Sequence, residues 1–217
     1  GGAILAGKKK TEAQEPQSLE ENFSAIYRYF KYAMKKADGD GLFAYGLGDW
    51  CQTAHEWDYD TDLRITDTLT LMDFCEKAER ISFVLGKEKE EKEFAVARER
   101  IKSAFRKAFV IGGKIKEEFA TQTSVAMAIH YRAIEETEIS AAKEQLLALI
   151  KEKDFHFDVG VLGARTLFRV LSDLNEPDLA LEMIVRPDFP SFGYHVNRGA
   201  TTLWEGFLEL REDKIET

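Results

Sequence analysis

Residues 189–206, FPSFGYHVNRGATTLWEG, concentrate the residue types that handle carbohydrate. Glu205 follows directly on Trp204, and the adjacent Thr201 and Thr202 stand just before them with several glycines. Aromatic faces pack on the apolar C–H face of a pyranose, small polar groups satisfy its hydroxyls, and a carboxylate can take or give a proton. The bland reading of the same segment is a loop that wraps a helical core. Glu205 would then be a structural carboxylate paired with an arginine such as Arg198.

A second chemical stretch is Tyr45-Gly-Leu-Gly-Asp-Trp50, where two glycines permit unusual backbone angles or close ligand approach beside an acid and an indole. Trp57, Tyr59 and the acids Glu56, Asp58, Asp60 and Asp62 follow. This loop is a sugar platform, or else Trp50 plugs the core and the acids are solvated. Asp58, Asp60 and Asp62 have the spacing of a calcium loop, but the glycine at position 6 and the glutamate at position 12 are missing, and Leu69 stands at the latter. His55, His130, His156 and His195 show no paired metal spacing, so zinc is disfavoured. Ser124 and Ser191 lack the setting of an activated nucleophile, and no phosphate or dinucleotide glycine fingerprint occurs. No cofactor is expected, and carboxylate chemistry centred on Glu205 remains.

The chain of 217 residues is long enough for a substantial core, with 44% hydrophobic and 12% aromatic residues. Its formal charge of −9 and the lack of a basic block disfavour nucleic acid and anionic membranes as partners. Two cysteines, Cys51 and Cys75, leave room for one bridge but not for a disulfide framework. The apolar start, residues 1–7, is too short for a signal segment and its lysines follow it, so it reads as a chain remnant. No apolar run approaches the roughly 18 to 20 residues of a membrane helix, and the chain reads as soluble.

These residues must be positioned by helices. Residues 1–17 read as a mobile polar lead-in. Ser18 reads as an N-cap with Glu21 closing a capping box, ahead of the stripe Phe23, Ile26, Tyr27, Phe30, Met34. That helix ends at Asp38-Gly-Asp-Gly41, and a loop of about twenty residues runs from Leu42 to Leu63, a length that is often functional. Helices are predicted from Ile65 to Leu85, stopped by Gly86, and from Glu88 to Phe109, ended by Gly112-Gly113. Others fit 121–135, 138–152 and 158–174, and a short one opens at Glu176-Pro-Asp178. Strand signals are nearly absent. The class is all-α, and antiparallel helical hairpins in a curved layer or barrel fit it better than a four-helix bundle.

Gly46-Leu-Gly-Asp-Trp-Cys51, Phe189-Pro-Ser-Phe-Gly-Tyr194 and Gly199-Ala-Thr-Thr-Leu-Trp-Glu205 resemble the catalytic domain of bacterial α-L-rhamnosidases, glycoside hydrolase family 78. His156-Phe-Asp-Val-Gly-Val-Leu-Gly163 and Leu171-Ser-Asp-Leu-Asn-Glu-Pro-Asp-Leu-Ala180 also look like that family, and the order agrees from about residue 19 to 217. The resemblance implies an (α/α)6 six-hairpin barrel and inverting hydrolysis of terminal α-L-rhamnosides. Glu205 then matches the water-activating base, Trp50, Trp204 and Tyr194 the sugar pocket, and Asp49 and His156 positions near it. Inversion needs a second carboxylic acid about 6.5 to 9.5 Å from the base.

The family's acid motif, of the Asp-Cys-Pro-x-Arg-x-Glu type, has no counterpart in this sequence, nor do the preceding β-domains and about half of the barrel helices. Gly206 stands where the family usually has arginine, and Phe192 where it more often has tryptophan. The expectation is therefore a partial (α/α)6 domain over residues 18–217, inactive alone and prone to self-association through exposed helix faces. Two other readings stay open: a different (α/α)6 glycosidase, or a helical scaffold that binds a glycan or protein without turnover. A bacterial source is implied, with cytoplasm, periplasm and secretion all open.

Overall fold

A computed structural model describes residues 15–53 and 60–204. The lead-in expected over residues 1–17 therefore lies outside the described residues up to residue 14. Residues 15–17 are already helical, because α1 runs Glu15–Ala33 and passes into a 3₁₀ turn at Met34–Lys36. This corrects the start expected at Ser18. Ser18 sits inside the helix, where its carbonyl accepts from Asn22 Nδ2 at 2.8 Å, and Glu21 is bonded by Gln17 at 2.9 Å instead of closing a capping box. Pro16 is tolerated in the first turn, where its missing N–H has no helical partner to lose. The expected stripe is real: Phe23 and Phe30 are buried, with Ile26, Tyr27 and Met34 packed against the core.

Helix α2, Leu63–Val84, is capped by Asp62, whose side chain accepts from Arg64 N, and Gly86 follows its end at φ +67. Ile65, Thr66, Leu69, Leu71, Met72 and Cys75 are buried on more than one face, which marks α2 as an inner helix. Val84, its last residue, is exposed. Helix α3, Glu88–Phe109, buries a single stripe of Phe94, Ala97, Ile101, Phe105 and Phe109 and turns its charged side outward. Gly112-Gly113 does more than end it. Both glycines adopt positive φ, +56 and +78, and turn strand β1, Val110–Ile111, into β2, Lys114–Ile115, as a two-residue hairpin that the sequence reading missed.

Helix α4, Gln122–His130, opens on a capping box of Thr121 and Ser124 and is buried from Gln122 through Ala128. It is shorter than the expected 121–135, because the chain leaves helical geometry at Tyr131 and Arg132 takes φ +60. Then follow α5, Ile139–Glu152, α6, Val161–Asp173, and α7, Pro177–Val185, with proline at its start as expected. A further short helix, α8, Phe192–Asn197, was not foreseen. Ser191 caps it by accepting from Tyr194 N at 2.8 Å.

Packing pairs α2 with α3, α4 with α5 and α6 with α7, while α4 also packs on α2 and on α6. These are helical hairpins laid side by side, with α2, α4 and α6 forming the inner row. The N-termini of the inner helices gather at one end. Thr61, just before α2, meets the α4 cap residue Thr121 hydroxyl to hydroxyl at 2.7 Å, and Gln122 of α4 donates to the carbonyl of His156 ahead of α6 at 3.0 Å. The described parts of the long connections, residues 37–53, 60–62, 153–160 and 186–191, therefore share that end.

Candidate active site

At this end a cavity of about 180 Å³ is lined by Thr53, Lys153, His156, Phe157, Asp158, Phe189 and Pro190. Its polar centre is Asp158. One carboxylate oxygen accepts from the Thr53 hydroxyl at 2.8 Å and the other meets the Lys153 ammonium at 2.6 Å. Burial works against the charged carboxylate, but Lys153 and Thr53 outweigh it, so Asp158 titrates below the usual carboxylate range. The same contact holds the Lys153 ammonium above its ordinary value.

Gln122, in the first turn of α4, fixes this segment. Its amide donates to the His156 carbonyl and accepts from Asp158 N, both at 3.0 Å, so the backbone on either side of Phe157 is pinned. The Phe157 ring is fully buried against Phe168 and Phe192, each with ring centres 5.5 Å away. Just upstream, Asp154 and Phe155 both take left-handed backbone, φ +51 and +59. Two successive non-glycine residues there cost on the order of 1–3 kcal/mol each. The turn brings His156 Nδ1 to 3.2 Å from the Lys153 carbonyl. His156 Nε2 lies 3.2 Å from an Asp188 oxygen, but out of line for a hydrogen bond. Arg186 beside Asp188 holds that exposed carboxyl down at about 2.

The residues singled out in the sequence are distributed around this cavity, not gathered in it. His156 lines it. Asp49 is wholly buried behind it: one oxygen accepts from the Thr123 hydroxyl and from Gly160 N at 2.7 Å, the other from Gly163 N at 2.9 Å. The Trp50 carbonyl accepts from Val161 N at 2.8 Å, which locks the Gly-Asp-Trp loop to the start of α6. A side chain at Gly160 would run into the Asp49 and Trp50 carbonyl oxygens, so only glycine allows this approach.

Tyr194, on α8, packs edge-on against Phe189 at 5.6 Å and carries the Arg198 guanidinium 5.2 Å above its ring. Trp204 lies on His195 with ring centres 4.4 Å apart. His195 touches Phe192 and Phe192 touches Phe157, so a continuous run of rings joins the cavity floor to the residue before Glu205. Glu205 itself lies outside the described residues, as do His55, Glu56, Trp57, Asp58 and Tyr59.

Thr53, Lys153 and Asp158 were not singled out in the sequence. The available signal was a carboxylate two residues after His156 in a quoted segment, but only the fold brings Thr53 to it across 105 residues. Among the described residues no group of three His, Cys, Asp or Glu is arranged to hold a metal ion. Asp62 caps α2 and pairs with Arg64 at 2.6 Å, while Asp60 exchanges hydrogen bonds with Gln52. Among the same residues no helix is long and apolar enough to cross a membrane.

Paired hairpins, their inner helices pointing N-termini at a cleft with an aromatic floor and a polar rim, are the elements of an all-α helical-hairpin fold. The chain belongs to the bacterial alpha-L-rhamnosidase 6 hairpin glycosidase domain family, whose model matches residues 2–216. It is 30% identical over 198 residues to an alpha-L-rhamnosidase of Streptomyces avermitilis, covering 91% of this chain and 18% of that protein. An alpha-L-rhamnosidase of Formosa agariphila is 30% identical over 190 residues, 86% of this chain and 20% of its own length. The alpha-L-rhamnosidase structure from Dictyoglumus thermophilum superposes with a TM-score of 0.84 at 29% identity, over 90% of this chain and 22% of that one. The chain thus spans about a fifth of the length of the relatives it matches.

Proposed function

We propose that the chain contributes the water-activating half of an inverting α-L-rhamnosidase site, with Glu205 as general base and the general acid supplied from outside this sequence. The observation that carries the sugar reading is the Asp158, Lys153, Thr53 and His156 cluster over an aromatic floor, in a chain of this family. A carboxylate held ionised accepts from sugar hydroxyls, an ammonium donates to them, and Phe189 and Pro190 offer an apolar wall to the ring's C–H face and methyl group. Asp158 is an acceptor in this scheme and not the missing acid, because Lys153 and Thr53 favour its ionised form.

Asp49 acts as a positioning residue: its oxygens are engaged by the protein, and through Val161 and the Trp50 carbonyl it sets where the indole stands. Trp204, Tyr194 and Trp50 supply ring faces around the sugar, and water sits between Glu205 and the acid. Residues 18–217 form part of one (α/α)6 domain, and Leu181 and Val185, exposed one turn apart on α7, offer a face for self-association.

The test is binding and turnover by the 217-residue chain. L-rhamnose should raise the melting temperature more than glucose or glucuronate does, and p-nitrophenyl α-L-rhamnoside should be left essentially intact, since general acid catalysis alone contributes roughly 10² to 10⁴-fold. No stabilisation by any sugar would sink the carbohydrate reading. Robust release of p-nitrophenol that Glu205→Gln abolishes would sink the missing-acid reading.

A further inference from the structure

Where α1 packs on α2, a cavity of about 190 Å³ is lined by Tyr29, Tyr45, Asp67, Thr70, Leu71 and Phe74. It shares no lining residue with the candidate sugar pocket, so what it binds is independent of the sugar reading. We infer that this cavity is an anchor site for an arginine side chain of a partner polypeptide, with the guanidinium among the rings and Asp67 as its counter-charge.

Charge is the first support. Asp67 Oδ2 accepts from the N–H groups of Tyr45 and Gly46, each at 2.6 Å, and among the described residues the carboxylate enters no ion pair. No lysine, arginine or histidine stands in the cavity lining. Burial, and then the Tyr29 hydroxyl, raise the titration of Tyr45, so its phenol is neutral and Asp67 is left as the one charge in the lining.

The rings are the second. The tyrosines before and after Tyr29 on α1 each hold a lysine ammonium over the ring, Lys31 over Tyr27 at 5.5 Å and Lys36 over Tyr32 at 5.0 Å. Tyr29, whose ring centre lies 5.1 Å from that of Phe74, holds none among the described residues, and neither does Tyr45. A cation within about 6 Å of such rings is attracted by their quadrupole.

Donor count selects the cation. Besides Asp67 the lining holds three hydroxyl-bearing side chains, Tyr29, Tyr45 and Thr70, and the two phenol oxygens lie 3.2 Å apart. A quaternary ammonium would leave these acceptors unused, and a lysine ammonium is strongly hydrated. A guanidinium brings five donors in one plane, stacks on aromatic rings and sheds water more easily. The rim selects the source. Tyr32, close enough to Tyr45 to affect its titration, and Leu47, next to Gly46, are both exposed. A polypeptide that carries the arginine covers this apolar rim, whereas free arginine leaves it in water.

The test is titration of the 217-residue chain, followed through the backbone amide NMR signals of Tyr45 and Gly46. N-acetyl-L-arginine methylamide should shift both signals saturably. It should bind at least about tenfold more tightly than its uncharged isostere N-acetyl-L-citrulline methylamide, as a charge-assisted contact requires. Asp67→Asn, which keeps an acceptor for the two amides, should bring arginine binding down to the citrulline level. Tyr29→Leu should also weaken it and keeps the test alive should the asparagine variant not fold. Acetyl-Leu-Arg-Leu-amide should bind more tightly than the arginine derivative. Equal binding of the arginine and citrulline derivatives, or arginine binding unchanged in either folded variant, overturns the cation site. Equal affinity of the tripeptide and the arginine derivative overturns the polypeptide partner and assigns the cavity to a small guanidine.

Discussion

Asp49 caps helix α6 from 114 residues away, accepting from Gly163 N at 2.9 Å with one oxygen and from Gly160 N at 2.7 Å with the other. Gly160 occupies the N-cap position of α6 and has no side chain with which to satisfy the first-turn donors. The glycine is required for the approach of the Asp49 and Trp50 carbonyls, and the approach in turn delivers the cap. Each half of the arrangement explains the other.

Replacing Asp49 by alanine strands two backbone N–H groups and the Thr123 hydroxyl in a fully buried site. An unsatisfied buried donor costs about 1–3 kcal/mol, so Asp49→Ala should lose at least about 3 kcal/mol in urea denaturation. Asp49→Asn, which keeps one acceptor oxygen, should lose less. A loss under about 1 kcal/mol for the alanine variant would show that the cap is dispensable.

Gly160→Ala should be strongly destabilising, by about 2 kcal/mol or more, because the new methyl meets two backbone carbonyl oxygens that cannot move aside. Gly39→Ala is the control. Nothing lies within 4 Å of a Cβ there, so the change should be neutral or slightly stabilising through the unfolded chain. Similar melting temperatures for the two variants would contradict the close approach at residue 160.

Burial lowers the titration of His195, and burial followed by the nearby Arg169 lowers that of His130. A group with a depressed folded pKa contributes stability above its unfolded value, about 6.5 for histidine. That contribution is lost as pH falls through the folded value. Melting temperature should therefore drop on acidification from pH 7 to pH 5, and His195→Phe should flatten part of that slope. An unchanged slope in both His195→Phe and His130→Phe would remove histidine burial as its cause.

Lys153→Met leaves Asp158, with a side chain only 12% exposed, facing Thr53 without its ammonium. The intact pair contributes above the unfolded carboxylate value of about 3.9 and is lost below it. On the lysine side the contribution fades above about 10.4, as pH rises through the raised folded value. Because Lys153 is half exposed, solvent screening limits the effect at neutral pH to about 1 kcal/mol or less. The clearer signature is the acid limb, where the variant should show less pH dependence between pH 5 and 3 than the parent. Circular dichroism across that range decides it.

Much of the helical framework was legible because periodicity and caps agreed. Helix α3 begins at Glu88 and ends at Phe109 as read, and Gly86 stops α2 through a left-handed residue whose need for glycine is local. Misreadings came where two local signals competed. Ser18 and Glu21 look like a capping box, but Pro16 already fits a first turn. Gly112-Gly113 looks like a helix stop and is also a hairpin turn, and only the pairing of Val110 with Ile115 decides between them. Helix α8 is six residues long, too short to show a period. The cavity was less legible, since Thr53 and Asp158 meet only after α4 and α6 have packed. Asp49 drew attention for its neighbours, while its hydrogen bonds depend on two glycines more than a hundred positions away.

That separation has a kinetic side. Closing a loop costs entropy that grows as the logarithm of its length, and contacts between distant segments form late because the cost precedes the reward. The Asp49–Gly160 bond closes 111 residues, whereas the Gly112-Gly113 hairpin and the turn between α2 and α3 close only a few. The α2–α3 hairpin can therefore nucleate by itself, and the segment carrying Trp50 can be captured only once the α4–α6 pair has docked. In pulse-labelled hydrogen exchange, the amides of Gly160 and Gly163 would gain protection after those of α3, which makes the end of the molecule that holds the cavity the last part to become solid.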